Sequence, residues 1–92
     1  MIGAAHCECF IYQAQSLKEK RAVVKSITTK MKQKLNVSVA EMDYHDLWQR
    51  TAITIVSVNR DTTIVEKELQ RACEFMDQLP ELERTITEFE WL

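Results

Sequence analysis

Residues 16–35 read SLKEKRAVVKSITTKMKQKL, a run that contains a helix start, a helical stripe and the approach to a helix stop. Ser16 followed by Glu19 matches a capping box, in which hydroxyl and carboxylate each satisfy a backbone N–H near the helix start. Leu17, Val24, Ile27, Met31 and Leu35 recur at spacings of three, four and seven, with Val23 at the edge, so the spacing predicts an amphipathic helix with one apolar face. Asn36 follows as the stop signal.

Working outward, both flanks read as strands. Residues 2–12 place Gly3, Ala5, Cys7, Cys9 and Ile11 on one small apolar face, expected to lie beneath helices, and Ile2, Ala4, His6, Glu8, Phe10 and Tyr12 on a mixed one. Val37 to Tyr44 is β-prone, and the polar pair His45-Asp46 makes a turn. Residues 49–58 hold Ala52, Ile53, Ile55, Val56 and Val58, apolar on both faces, which suits a central strand covered on both sides. Asn59, Asp61 and Thr63 are N-cap candidates, Thr63 with Glu66 forming a second capping box. Val65, Leu69, Ala72, Cys73, Met76 and Leu79 make the stripe of a second helix that Pro80 ends. Residues 84–91 alternate weakly, as a final strand.

The order βαββαβ predicts an α+β, ferredoxin-like domain spanning residues 1–92, with both helices on one face of a four-stranded antiparallel sheet. Right-handed crossovers place the first and third strands centrally, giving strand order 4-1-3-2.

Ninety-two residues, 46% hydrophobic and 28% charged, suffice for one modest core. The apolar start lacks a basic n-region and is interrupted by Glu8, so neither a signal peptide nor a membrane span is expected, and the chain reads as cytosolic. Cys7, Cys9 and Cys73 are odd in number, and Cys7 and Cys9 project in parallel from one face of a strand, so reduced, buried thiols are the expectation.

Charge is split along the chain. Residues 16–35 hold seven of the twelve bases and one acid, a local charge of +6, in a protein of net charge −2. Residues 61–92 hold nine acids and three bases, a local charge of −6. Nucleic acid would therefore approach the first half.

Three runs resemble the YlxP-like family of small bacterial proteins, classed as a domain of unknown function. They are Ser16-Leu17-Lys18-Glu19-Lys20-Arg21, Asn36-Val37-Ser38-Val39-Ala40-Glu41-Met42-Asp43 and Asp46-Leu47-Trp48-Gln49-Arg50, within a similarity across nearly the whole chain. The resemblance implies a ferredoxin-like fold. Genes of that family commonly lie among those for translation initiation and ribosome maturation, which implies RNA or ribosome-associated work by association alone. Where the family usually has His directly after the Asp matching Asp43, this chain has Tyr44 and then His45.

Several constellations invite a role. At about 100° per residue, Lys18, Arg21, Lys25 and Lys32 fall on one ridge beside the apolar stripe. Lys18, Lys20 and Arg21 occupy the start of the helix, where the dipole disfavours cations by about 0.3–1 kcal/mol each. An anion there, held by these cations and by the N–H groups behind Ser16, would explain them. Lys18, Lys20, Arg21, Lys25 and Lys32 are thus the candidate phosphate contacts for RNA or a ribosomal surface.

Asp43, His45, Asp46 and Arg50 gather titratable groups at a turn, where turn formation is the favoured reading over catalysis or metal binding, and Glu41 is a candidate partner for Arg50. His6 projects away from Cys7 and Cys9, which alone supply two ligands, so no metal is expected. With Gly3 the only glycine, no phosphate loop and no cofactor are expected either. Phe10, Tyr12, Trp48, Phe89 and Trp91 include aromatics expected on the open sheet face, but they lack interleaved bases and lie among Glu8, Glu88 and Glu90. That face therefore reads as a protein contact, in a homodimer or with a partner, with Phe10, Ile53 and Phe89 as candidate interface residues. No catalytic residue is assigned.

Overall fold

Small residues at alternate positions of the first strand let helices approach it closely, and the rest of the architecture follows from that. The computed structural model describes Met1–Leu92 as β1 (Ile2–Phe10), α1 (Leu17–Lys34), β2 (Ser38–Asp43), β3 (Arg50–Val58), α2 (Thr62–Asp77) and β4 (Glu83–Trp91). The four strands form one antiparallel sheet in the order β2-β3-β1-β4, the ferredoxin-like arrangement expected from the sequence. No helix is long and apolar enough to cross a membrane.

The register fixes which side chains share a face. Cys7 stands opposite Ile53 and Ala5 opposite Ile55, and all four are buried on the side that α1 and α2 cover. From α1 come Val24, Ile27 and Met31, and from α2 Val65, Leu69, Ala72, Cys73 and Met76. Ile53 is therefore a core residue with no exposure, which corrects its assignment to an open-face interface.

Phe89 is also corrected. It pairs with Ala5, and residues directly opposite in an antiparallel ladder share a face, so Phe89 lies on the helix side of the sheet although it is 59% exposed. Its neighbour Trp91 pairs with Gly3 on that side, and a β-carbon at Gly3 would meet Val65 Cγ1 at 2.7 Å and Trp91 Cζ3 at 3.2 Å. Absence of a side chain at position 3 is thus what lets α2 and Trp91 close over β1. The other face of β3 is half-buried at Ala52, Thr54 and Val56, so this strand is covered fully on one side only.

Helix α2 is capped by Asp61, whose Oδ1 accepts from the Thr63 N–H at 2.9 Å, rather than by a Thr63–Glu66 box. An Asp at the N-cap also meets the positive end of the helix dipole.

Candidate functional site

Three segments converge at one end of the sheet: the start of α1, the turn from β1 into α1, and the loop from β2 to β3. Gln49 in that loop donates from Nε2 to the Tyr12 carbonyl at 2.9 Å and to that of Ala14 at 3.3 Å, while its own carbonyl accepts from the Ile11 N–H at 2.8 Å. These bonds hold the β2–β3 loop against the turn that leads into α1.

Lys20 is the fastening between α1 and the loop. Its Nζ lies 2.7 Å from Glu41 Oε2, donates to the Tyr44 carbonyl at 2.7 Å, and its side chain has no exposure. Glu41, 15% exposed, also accepts from the Thr51 hydroxyl at 2.6 Å. A buried ion pair is tolerated when its remaining lone pairs and protons find partners, and here the carbonyl and the hydroxyl supply them. Lys20 is consequently no phosphate contact, and Glu41 pairs with it rather than with Arg50.

The signal for this was present in the sequence. Position 20 stands at i−4, i−7 and i−11 from Val24, Ile27 and Met31, so it lies on the buried stripe.

The α1 N-terminus is likewise occupied. Ser16 Oγ accepts from the Glu19 N–H at 3.1 Å as expected, while Glu19 Oε2 accepts from the Gln15 N–H at 2.7 Å, one residue before the cap rather than at the N–H of Ser16. The Glu19 carboxylate already supplies the negative charge that the dipole favours, and with Lys20 withdrawn the anion cradle at Ser16 loses two of its parts. Lys18, Arg21, Lys25 and Lys32 remain exposed and form no salt bridge.

The turn residues do not gather into one cluster. Asp43 Oδ1 accepts from the Tyr44 N–H at 2.7 Å, His45 Nε2 lies 3.2 Å from the Glu41 carbonyl, and no group of three His, Cys, Asp or Glu side chains is placed to hold a metal ion. Arg50 turns instead onto the open face. Its guanidinium sits 5.5 Å from the Phe10 ring centroid and 4.2 Å from that of Tyr44, and donates from Nη2 to Glu8 Oε1 at 2.9 Å.

Phe10 in turn stacks on Tyr12, centroids 5.1 Å apart, so Tyr12, Phe10, Arg50 and Tyr44 form one cation–aromatic stack. The Tyr44 hydroxyl donates to Glu8 Oε1 at 2.8 Å, which raises its pKa because ionising the phenol would break that bond. Tyr44 is the one non-glycine residue at positive φ, 61°, and Lys20 and Asp43 both bind its backbone. A strained residue held from several sides marks a loop whose shape the fold over-determines.

Beyond the stack, Tyr12 and Trp48 are 56% and 51% exposed, and Met42 and Leu47 are exposed as well. Trp48 stands in the loop before β3 rather than on a strand of the open face.

The cysteines belong to the core, and Cys9 stands opposite Thr51 on β3. Cys7, Cys9 and Cys73 are free and buried. Burial pushes the Cys9 thiol up to about 12. The neighbouring Cys73 and burial push the Cys7 thiol up, and the same interaction with Cys7 lowers that of Cys73.

The fold defines a small α+β protein with an open four-stranded antiparallel sheet and a basic first helix. Residues 2–89 match the family described as "Protein of unknown function (DUF503)", and the chain belongs to that family. It is similar to a protein of Bacillus subtilis (strain 168) named "Uncharacterized protein YlxP", 56% identical over 91 residues, which cover 99% of each chain.

Proposed function

We propose that this protein is a non-enzymatic, cytosolic RNA- or ribosome-associated module that uses the solvent face of α1 and the adjoining aromatic loop. One observation carries the reading: Lys18, Arg21, Lys25 and Lys32 stand exposed and unpaired along one helix, beginning at the end where Tyr12 and Trp48 are exposed. Cations on a ridge neutralise successive phosphates and release counterions, and flanking aromatic rings offer faces on which unpaired bases stack.

Binding of structured ribosomal RNA fragments as a function of salt tests the proposal. Affinity is expected to fall steeply with salt, and replacing Lys18, Arg21 and Lys25 by Glu is expected to flatten the log–log slope by about 2 units, at roughly 0.7 for each phosphate no longer neutralised. A flat salt dependence, or unchanged affinity in the triple variant, would sink it.

A second reading, homodimerisation through the open sheet face, keeps support from the exposed Ile2, Val58 and Ile86. Sedimentation at micromolar concentration separates the two. A dimer disrupted by Ile86→Glu favours the sheet face, and a monomer that binds RNA favours the helix.

A further inference from the structure

Strand β4 is nine residues long, lies at the edge of the sheet, and leaves one side of its backbone without a partner. In an antiparallel ladder, successive residues turn their N–H and C=O groups alternately toward and away from the neighbouring strand. The Leu92 N–H donates to the Ile2 carbonyl at 2.9 Å, which sets the phase: Glu90, Glu88 and Ile86 face β1, while Trp91, Phe89 and Thr87 point their backbone groups outward. Sheet edges are commonly blunted by shortness, bulges, charged side chains or Pro. The opposite edge, β2, is six residues long with a break in register between Glu41 and Asp43. β4 contains no Pro, the charges within residues 86–91 are both acidic, and its own register shift lies at the Glu8–Cys9 end, so residues 86–91 run regularly and are closed only to an acidic neighbour.

The side chains on this edge are sorted by face. On the helix side, Phe89 and Trp91 line a groove of about 230 Å³ with Leu69 and Glu66 of α2. On the open side stand Glu88 and Glu90, both exposed, with Glu90 Oε1 3.0 Å from His6 Nε2 and its second oxygen left free of protein partners.

We propose that β4 is a docking edge for an extended segment of another protein that alternates apolar with basic residues. Such a segment joins the sheet as a fifth strand, bonding to the outward N–H and C=O groups of Thr87, Phe89 and Trp91. Its apolar side chains pack on the helix side against Phe89, Trp91 and Leu69, and its Lys or Arg side chains lie on the open side facing Glu88 and Glu90. Charge chooses the occupant. Residues 61–92 carry a charge of −6, so a second copy pairing through its own β4 would bring two acidic surfaces together, whereas a basic segment meets its complement. This edge is separate from the surface assigned to RNA.

The test uses a short synthetic peptide in which Val alternates with Lys, its counterpart with Glu in place of Lys, and amide hydrogen exchange on the full-length protein. The Lys peptide is expected to protect the N–H groups of Thr87, Phe89 and Trp91 while leaving those of Ile86, Glu88 and Glu90 unchanged, and the Glu peptide is expected to protect none. Glu88→Lys combined with Glu90→Lys is expected to weaken binding of the Lys peptide about tenfold or more. Phe89→Pro removes the central outward N–H, a change an edge strand tolerates, and is expected to abolish binding. Should that variant fail to fold, the exchange pattern of the unmodified protein still decides. The proposal is overturned if the Lys peptide leaves those three amides unprotected, if the Glu peptide protects them equally, or if they become protected without peptide as protein concentration rises.

Discussion

The two helices occupy equivalent places in the two βαβ halves of the chain, yet they are fastened to the sheet by different physics. α2 meets the sheet through Val65, Leu69, Ala72, Cys73 and Met76, an apolar stripe with no charge in it. α1 places Lys20 in line with Val24, Ile27 and Met31, and joins β2 and its loop through a buried ion pair with Glu41. Apolar contact is non-directional and forgiving of small shifts, whereas a buried ion pair fixes geometry and is costly to leave half made. α2 thus anchors the fold by area, while α1 is keyed to one conformation of the segment that carries Tyr44, Trp48 and Arg50.

The largest expected effect tests that key. Lys20→Ala strands a largely buried carboxylate at Glu41 and is expected to destabilise the protein by about 3–5 kcal/mol, read from urea unfolding midpoints. Lys20→Met together with Glu41→Leu is expected to recover most of that loss. A double variant no more stable than the single one would break the comparison, because it would show that the ion pair itself supplies the stability. On the α2 side, Gly3→Ala pushes a methyl group into Val65 and is expected to cost about 1–3 kcal/mol by the same measurement.

A smaller effect is expected at the α1 cap. Ser16→Ala removes the acceptor for the Glu19 N–H and is expected to cost about 1 kcal/mol. An effect well above that would mean that the start of α1 is held by the cap more than by Lys20.

The smallest effect concerns Asp77, whose carboxylate accepts two bonds from Arg84 at 2.9 and 2.7 Å, and whose pKa that guanidinium holds below the usual carboxylate value. A group with a depressed folded pKa contributes stability that is full above its unfolded value and lost as pH falls through the folded one. Because the pair is partly exposed, Asp77→Asn is expected to cost less than about 1 kcal/mol at neutral pH, with the difference from the unmodified protein vanishing in acid.

Much of the fold was legible because period-two and helical patterns coincide with burial. The face formed by Ala5, Cys7 and Cys9 and the stripe of α2 both stand where their spacing puts them. Strand β3 misled because Ile53 and Val56 are both apolar, so alternation alone does not say which side meets the helices; pairing of Ile53 with Cys7 does. At β4 the apolar residues Phe89 and Trp91 follow the ordinary rule that the apolar face points to the helices. They remain exposed because the strand lies at the sheet edge and α2 covers only part of it.

At the site, the basic helix was legible as charge, but only partly as a surface. Lys20 reads as one more cation until its place beside Val24 and Ile27 is weighed, and its partner Glu41 lies twenty-one residues away, beyond any local pattern. The stack of Tyr12, Phe10, Arg50 and Tyr44 joins β1 to a distant loop, and such a grouping depends on strand register.

Gly3 has a consequence for how sequences of this kind can drift. Space above position 3 is filled from Val65, so side-chain volume is a shared quantity between a strand residue and a helix residue sixty-two positions apart. Shrinking position 65 to Ala removes the 2.7 Å contact and leaves those of Leu69 at 3.1 Å and Trp91 at 3.2 Å, so the two changes are expected to be non-additive, each harmful alone and partly compensating together. Positions 3 and 65 should therefore be inherited as a correlated pair, and a comparison of many relatives in which they vary independently would contradict the close approach.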